Sequence, residues 1–214
     1  MNKKKILGLC LIIIGLSIGS YYFLELYNSK RSTAALTKNE MKNYETAPES
    51  IHSTQNTEVS PPDDHPSESV QVPTTQVQHR QGEKVALLVI PKINKKFSVY
   101  WGADPKVLKK GVGMFVSDLT TTPAGNGHTV LSGHRDTVFI ELGELKENDT
   151  LIVEYDNKTY TYQITRHWVT DAEDRTVIVE KDEPILTLTT CYPFDYIGDA
   201  PNRYIIEAKL TSTT

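Results

Sequence analysis

The alternation of hydrophobic and polar positions divides the chain into three parts. Residues 6–24 are apolar and carry no charge, whereas residues 28–82 are dominated by Ser, Thr, Gln, Glu and Pro. From Glu83 onward, short apolar or alternating runs recur at close spacing, which is typical of β-strands. The pattern therefore predicts an N-terminal anchor, a disordered stalk and a folded domain, over residues 1–27, 28–82 and 83–214.

The pattern of the third part predicts an all-β domain with short helices. Alternating runs flank Asp156-Asn157-Lys158, which is typical of a hairpin, and Asp104 followed by Pro105 indicates the start of a short helix. Short strands with few helices favour a closed or nearly closed barrel or a sandwich. The predicted strands are Val85–Ile90, Phe97–Trp101, His128–His134, Leu151–Tyr155, Thr159–Thr165, Pro184–Cys191 and Arg203–Leu210, with a helical turn over residues 138–145.

The apolar segment 6–24 is long enough for a membrane span. A helix over these residues covers roughly 28 Å, close to the hydrocarbon core of a bilayer. Lysines at positions 3–5 precede it, and Tyr21 and Tyr22 fall where a membrane interface would lie. Lysines before the span favour a cytoplasmic N-terminus and place the rest of the chain outside the cell. A cleaved signal peptide is the alternative, although its apolar core is usually shorter.

The composition of residues 28–82 predicts disorder. These residues cannot bury enough apolar surface to offset the entropy lost on ordering them, and Tyr44 is their sole aromatic residue. We therefore expect a stalk with an end-to-end distance on the order of 40 Å.

The chain has two cysteines, and Cys191 is the one placed for chemistry. Cys10 lies in the apolar segment, so a disulfide framework is not expected. If the last two strands are antiparallel neighbours joined by residues 192–202, Cys191 lies opposite Arg203 with Cα atoms roughly 5 Å apart. A guanidinium beside a thiol favours the thiolate and offers donors to an oxyanion. A structural cysteine near a surface arginine is the alternative for the pair taken alone.

A histidine at the end of another strand adds a third reactive group. If the strands that end in His134 and Cys191 run parallel, both side chains emerge at one edge of the sheet. Gly133 removes a side chain beside His134, so we expect open access for a substrate there. Together with Arg203, these residues would supply a nucleophile, an acid/base and an oxyanion stabiliser for acyl transfer.

Three sequence blocks carry a resemblance to a known family. LSGHRDT (131–137), TLTTCYPF (187–194) and APNRYII (200–206) resemble the signature blocks of sortases, the membrane-anchored cysteine transpeptidases of Gram-positive bacteria. The resemblance covers about residues 83–212, and the sequences of the second and third blocks are most similar to those of class D members. It implies a closed eight-stranded β-barrel of the sortase type.

The resemblance also implies a reaction and its partners. By it, Cys191 attacks the Thr carbonyl of an LPxTG-like sorting signal, Arg203 stabilises the oxyanion and His134 protonates the departing amine. An amino group of a peptidoglycan precursor then resolves the thioester, which attaches a surface protein to the cell wall. No cofactor is implied. Some sortases use calcium, for which Glu173 and Asp174 would be the candidate ligands, although solvated surface charges are the simpler interpretation.

Other classes of protein fit the sequence less well. The HRD triplet at 134–136 also begins a kinase catalytic loop, but Glu141 replaces the required Asn and the Gly-rich loop is incomplete. His128, His134 and Cys191 lack a close ligand pair such as CxxC, so a zinc site is not expected. His128 alternates with Val130 along its strand, which favours a structural or surface histidine. The formal net charge of −4 gives no indication of nucleic-acid binding.

Two alternative functions are also consistent with a protein at the cell surface. L,D-transpeptidases carry a compact Ser-x-Gly-Cys-x-Arg block, whereas Cys191 follows Thr-Thr and Arg203 lies far downstream. A catalytically inactive surface-binding β-module is the other alternative, which three intact reactive residues disfavour. A lid with an Asp-Pro-aromatic motif, frequent in pilus-building sortases, is lacking, which favours the anchoring of single proteins.

Overall fold

The computed structural model describes residues 11–24, 33–45, 71–195, 198 and 200–214. Nine strands form one sheet within these residues. They are β1 (Thr33–Ala35), β2 (Lys84–Ile90), β3 (Lys95–Trp101), β4 (Val112–Met114), β5 (His128–Ser132), β6 (Thr150–Tyr155), β7 (Lys158–Asp171), β8 (Ile185–Tyr192) and β9 (Asn202–Thr213). Short helices cover Lys38–Glu45 and Pro105–Leu108, and 3-10 turns cover Thr74–Gln76, Pro91–Ile93, Pro123–Gly125 and Leu142–Glu144.

Eight of the strands close into a barrel. Their order is β3-β2-β6-β7-β9-β8-β5-β4, and a parallel pairing between β3 and β4 joins the two ends. The other parallel pair is β5 with β8, and the remaining neighbours are antiparallel. The predicted all-β fold, a closed eight-stranded barrel, is therefore confirmed.

The predicted hairpin and the predicted short helix after Asp104 are both present, and turn and cap interactions explain them. Asp156 and Asn157 have φ of 50° and 59° in the tight turn between β6 and β7, as a two-residue hairpin requires. The Asp104 carboxylate caps the helix at Pro105 by accepting hydrogen bonds from the backbone N–H groups of Lys106 and Val107, at 2.7 and 3.0 Å. The three-residue strands β1 and β4 were not predicted, because so short a run carries no periodicity.

The alternation of side chains along β8 and β9 separates the barrel core from the outer face of the sheet. Leu186, Leu188 and Ile206 belong to the buried core cluster inside the barrel. Because successive side chains of a strand point to opposite faces, Thr187, Thr189 and the other odd-numbered residues of these strands lie on the outer face. Cys191 and Arg203 belong to this outer set.

Residues 33–45, here called the N-terminal strap, lie against the barrel and differ from the predicted disordered stalk. β1 pairs with the beginning of β3, where Ala35 is opposite Lys95. Leu36 is only 6% exposed and packs with Val89 and Ile152, which β2 and β6 present on the outer face. The strap is ordered because its few apolar side chains cover apolar positions that would otherwise face water.

Polar contacts hold the strap helix in place. Thr37 and Glu40 form a capping box, in which the Glu40 carboxylate accepts from the Thr37 backbone N–H at 2.8 Å. Lys96 on β3 donates to the same carboxylate, and this hydrogen bond is the largest of the effects that hold the pKa of Glu40 well below its usual value. The Tyr44 hydroxyl donates to Glu154 on β6.

The end of the predicted stalk is also ordered against the barrel. Pro73 forms a bridge with Thr121, and the side chain of Thr74 is fully buried against Thr120. The predicted disorder therefore does not hold for residues 33–45 and 71–82, and packed structure begins before residue 83. The intervening part of the predicted stalk lies outside the described residues.

Shortening Leu36 to alanine should loosen the strap. We expect the variant to lose about 2 kcal/mol of unfolding free energy, because a buried leucine loses its contacts with Val89 and Ile152. Urea denaturation of the full chain measures the loss. Lys38→Ala, at an exposed position of the same segment, is the control and should change stability by less than about 0.5 kcal/mol. Equal stability of the two variants would show that the strap is not packed as described.

Residues 11–24 are helical. Within the part of the chain that the structure describes, no helix has both the length and the apolar character needed to cross a membrane. The first residues of the predicted membrane span, 6–10, lie outside the described residues.

Candidate active site

Cys191 and Arg203 face each other across the β8–β9 pair. The register of these antiparallel strands places them directly opposite, as predicted from the connection between the strands. Both side chains are partly exposed on the outer face of the sheet. A thiol and a guanidinium are therefore neighbours at the end of the β8–β9 ladder.

His134 follows the end of β5, on the other side of β8. β5 and β8 are parallel, as predicted, and Ser132 is the register partner of Thr189. Two hydrogen bonds continue this pairing beyond β5: the Gly133 N–H donates to the Thr189 carbonyl at 3.1 Å, and the Thr190 hydroxyl donates to the Gly133 carbonyl at 2.7 Å. The next residue, His134, therefore emerges at the level of Cys191.

The three residues share one cleft on the outer face, with a volume of about 400 Å³. Its floor includes Thr189 and Ile205, which continue the row of outward-facing positions on β8 and β9. One apolar wall includes Leu108, the last residue of the helix Pro105–Leu108, and Phe115, which follows β4. The other includes Val177 and Ile178, from the connection between β7 and β8. The cleft therefore combines reactive groups at one end with an apolar surface that can hold an extended peptide.

Backbone carbonyl groups fix the position of Arg203. Its Nη1 atom donates to the carbonyl oxygens of Ala200 and Asn202, at 3.2 and 3.0 Å. Among the described residues, no carboxylate forms an ion pair with this guanidinium. The backbone carbonyls thus position Arg203 beside Cys191, where its guanidinium can act on a group bound in the cleft.

Gly133 has a different role from the one expected. The sequence suggested that it leaves open access for a substrate, but a Cβ atom at this position would lie 2.7 Å from both Val138 and Phe139. These two side chains are buried in the barrel core. The glycine is therefore needed because the segment after His134 folds back against it.

Gly133→Ala tests this packing. We expect a loss of about 1–3 kcal/mol in unfolding free energy, because two buried side chains must shift, together with slower peptide transfer as His134 is displaced. Thermal unfolding and transfer rates measure the two effects. The double variant Gly133→Ala/Val138→Ala, which removes one of the colliding groups, should recover part of both losses. A single variant with wild-type stability and rate would contradict the proposed packing.

Further residues that the sequence motifs did not identify connect the segment after His134 with the loop after Cys191. Arg135 is 9% exposed, and its Nη2 atom donates to the carbonyl of Gly198 at 2.6 Å. The Phe194 ring packs over Gly143 and lies 5.2 Å from the ring of Tyr204. Arg135, Phe194 and Tyr204 lie inside the three sequence blocks, but the blocks do not reveal these contacts.

Two of the candidate metal ligands, Asp174 and His128, have other partners. Thr170 and Thr176 donate to the Asp174 carboxylate, and the hydrogen bond from Thr170 is the largest of the effects that lower its pKa. His128 is buried and hydrogen-bonded to the Thr187 hydroxyl at 2.8 Å, consistent with its expected structural character. The described residues contain no group of three or more His, Cys, Asp or Glu side chains that could hold a metal ion.

The geometry defines a class of enzyme. A thiol opposite a guanidinium, with an imidazole at the same end of the sheet, is suited to acyl transfer through a covalent cysteine intermediate. The walls of the cleft fit a peptide as the acyl donor.

Comparisons with known proteins agree with this class. Residues 88–211 match the family model of the sortase domain. The chain is 37% identical over 209 residues to Sortase D of Bacillus subtilis (strain 168), covering 96% of this chain and 98% of that protein. The protein belongs to the sortase family, whose members are cysteine transpeptidases.

Solved structures support the same assignment. The catalytic domain of SrtD from B. anthracis is 75% identical, with a TM-score of 0.57 over 64% of this chain and 94% of that one. A Sortase D5 transpeptidase from Clostridium perfringens is 28% identical, with a TM-score of 0.56 over 63% of this chain and 83% of that one. An L,D-transpeptidase or an inactive binding module is therefore not favoured.

Proposed function

We propose that this sortase cleaves an LPxTG-like sorting signal after Thr and transfers the new carboxyl terminus to an amino group of a cell-wall precursor. The observation that supports the proposal best is the register pairing of Cys191 with Arg203, with His134 in the same outer-face cleft. The partners would be surface proteins that bear such signals and a peptidoglycan precursor as the amine acceptor.

The proposed acylation step uses all three side chains. With the thiol proton transferred to His134, the Cys191 sulfur attacks the Thr carbonyl carbon, and the carbonyl oxygen gains negative charge in the tetrahedral intermediate. Arg203 donates hydrogen bonds to this oxyanion. As the C–N bond breaks, His134 donates a proton to the leaving amine, and a thioester on Cys191 remains.

The second step reverses these roles. The acceptor amine attacks the thioester carbonyl carbon, and His134 accepts the proton that the amine loses. Collapse of the intermediate breaks the C–S bond, releases the Cys191 sulfur and leaves an amide between the two partners. The position of Arg203 beside Cys191 suits it to stabilise the oxyanion in both steps.

We also propose that residues 6–24 anchor the enzyme in the cell membrane as a single-pass helix. Lysines at positions 3–5 support a cytoplasmic N-terminus and an extracellular catalytic domain. Because the strap begins at residue 33, the tether between anchor and barrel would be residues 25–32 instead of a long stalk. Fully extended, these residues reach at most about 28 Å, so the barrel would stay near the membrane surface.

A panel of peptides tests the proposed specificity. The full chain is incubated with Leu-Pro-X-Thr-Gly peptides, in which X is varied, and with an excess of a small amine. We expect cleavage after Thr and a product that joins Thr to the amine, identified by mass spectrometry. A peptide of the same composition in scrambled order is the control, and its cleavage at an equal rate would contradict the proposed sorting signal.

A further inference from the structure

One wall of the cleft is formed by the connection between β7 and β8. This β7–β8 loop, residues 172–184, contributes Val177 and Ile178 to the cleft and contains no helix or strand. Its first residues are tied to the rest of the domain, because Ala172 donates its backbone N–H to the carbonyl of Pro201 at 3.1 Å. The wall therefore depends on what holds the central part of the loop.

Hydrogen bonds from side chains, and not backbone–backbone hydrogen bonds, hold the central part of the loop. Among the described residues, none from 175 to 183 makes a backbone–backbone hydrogen bond. Gln71, from the segment before β2, donates to the carbonyl of Lys181 at 3.0 Å. His128, from β5, bonds the carbonyl of Val179 at 2.7 Å. The His128 contact lies directly after the cleft-lining pair Val177 and Ile178, whereas the contacts of Thr176 with Asp174 lie directly before it.

His128 lies beneath the loop on the outer face of the barrel. It is 1% exposed, and both ring nitrogens are hydrogen-bonded, Nδ1 to the Val179 carbonyl and Nε2 to the Thr187 hydroxyl. Because a carbonyl oxygen can only accept, Nδ1 must carry the hydrogen. The neutral ring then accepts from Thr187 through Nε2. Burial, which disfavours a charge, lowers the pKa of His128 and supports the neutral form.

Two cationic side chains share one carboxylate near the ring. Lys181 on the loop pairs with the Glu207 carboxylate on β9 at 3.3 Å. Arg166 on β7 donates two hydrogen bonds to the same carboxylate, each 3.0 Å long. Burial of Glu207 opposes ionisation, yet the contacts with Arg166 and Lys181 keep its pKa below the usual value. His128 is thus the neutral member of the polar layer under the loop.

We propose that His128 is a positioning residue for substrate binding, which holds Val179 so that Val177 and Ile178 form the wall of the cleft. The proposal rests on the proposed peptide substrate. If the wall adopts its binding conformation in only a fraction of the molecules, the apparent affinity for the peptide falls in proportion to that fraction. Loss of the Val179 contact should therefore weaken peptide binding and leave the chemistry at Cys191 unchanged.

Two variants of the full chain separate the two hydrogen bonds of the ring. His128→Gln places its polar atoms at the level of Nε2, near Thr187, and loses the donor to Val179. His128→Asn is the matched control, because its amide nitrogen lies at the level of Nδ1 and can still donate to Val179. We expect KM for the Leu-Pro-X-Thr-Gly peptide to rise about tenfold in the glutamine variant and less than about threefold in the asparagine variant.

Three readouts show whether the effect is on binding. In the glutamine variant, kcat and the rate of Cys191 alkylation by iodoacetamide should stay within about twofold of wild type, because neither depends on the wall. Hydrogen exchange of the Thr176 and Ile185 amides should be faster than in wild type, because their hydrogen bonds to the Asp174 carboxylate and the Gly127 carbonyl flank the central part of the loop. The exchange measurement needs no substrate, so it also tests the proposal if a variant is inactive.

The failures of the two proposals are distinguishable. If the wild-type chain does not process the peptide, the proposed specificity fails, whereas the exchange comparison still decides the role of His128. If wild type is active and the glutamine variant keeps its KM and exchange rates, the positioning role is refuted. Equal defects in both variants, or a parallel fall in kcat and alkylation rate, would also refute it.

Discussion

Replacement of Cys191 by alanine is expected to lower the rate of peptide transfer by at least about 10⁴-fold, because Cys191 is the proposed covalent nucleophile and its removal would abolish the acylation step. The fold should not change, since the side chain is partly exposed on the outer face and lies outside the barrel core. Initial rates with the Leu-Pro-X-Thr-Gly peptide and an amine measure the loss.

The serine variant sharpens this test. Cys191→Ser keeps a nucleophilic atom in nearly the same place but replaces a thiol with an alcohol that is hardly ionised at neutral pH. We expect it to be almost as inactive as the alanine variant, with an unchanged thermal unfolding midpoint. An alanine variant that retained wild-type transfer would remove Cys191 from the mechanism.

Arg203→Lys is expected to have the second largest effect. Lysine keeps the charge opposite Cys191 but loses the planar guanidinium that donates to the carbonyls of Ala200 and Asn202 and, as proposed, to the oxyanion. We expect the barrier to rise by ~2 kcal/mol or more, about a thirtyfold loss in kcat/KM.

The matched control for this substitution is Arg80→Lys. The Arg80 side chain is almost fully exposed and does not line the cleft, so its variant should retain wild-type kinetics. Equal rates for Arg203→Lys and wild type would show that the planar donor pair is not used in the transition state. A fall in stability without a fall in kcat/KM would assign Arg203 a structural role.

The barrel and its reactive end could be predicted because their sequence signals are local. Strand alternation identifies β8 and β9, and the connection between them implies antiparallel pairing. The partners Cys191 and Arg203 then follow from register alone. Parallel pairing of β5 with β8 needed one further assumption, which the structure confirms.

The strap could not be predicted from composition. Averaged over residues 28–82, the sequence is polar, and Leu36, Met41 and Tyr44 appear as isolated apolar residues. Their value lies in the partners they meet, Val89 and Ile152, which are exposed on the barrel until the strap covers them. A tertiary contact thus overrides the local preference for disorder. Such a contact cannot be read from any short window of the sequence.

The same limit applies to Gly133 and His128. A glycine before His134 suggested open space, but the space is filled by Phe139, which follows in sequence only after a turn. His128 was expected to be structural or superficial, and its contact with Val179 depends on the path of a loop without regular structure. Both contacts depend on turns of the chain that hydrophobic patterns in the sequence do not predict.

The central claim is that a thiol, an imidazole and a guanidinium on the outer face of the barrel carry out acyl transfer through Cys191. The most direct measurement is mass spectrometry of the full chain after exposure to the Leu-Pro-X-Thr-Gly peptide without an amine, followed by peptide mapping. The account predicts a mass increase equal to the acyl fragment ending in Thr, located on Cys191. Cleavage of the peptide with the adduct on another residue would contradict it. Cleavage with no adduct would also contradict it, if the adduct is missing both in wild type and in the Arg203→Lys variant, whose turnover is expected to be slower.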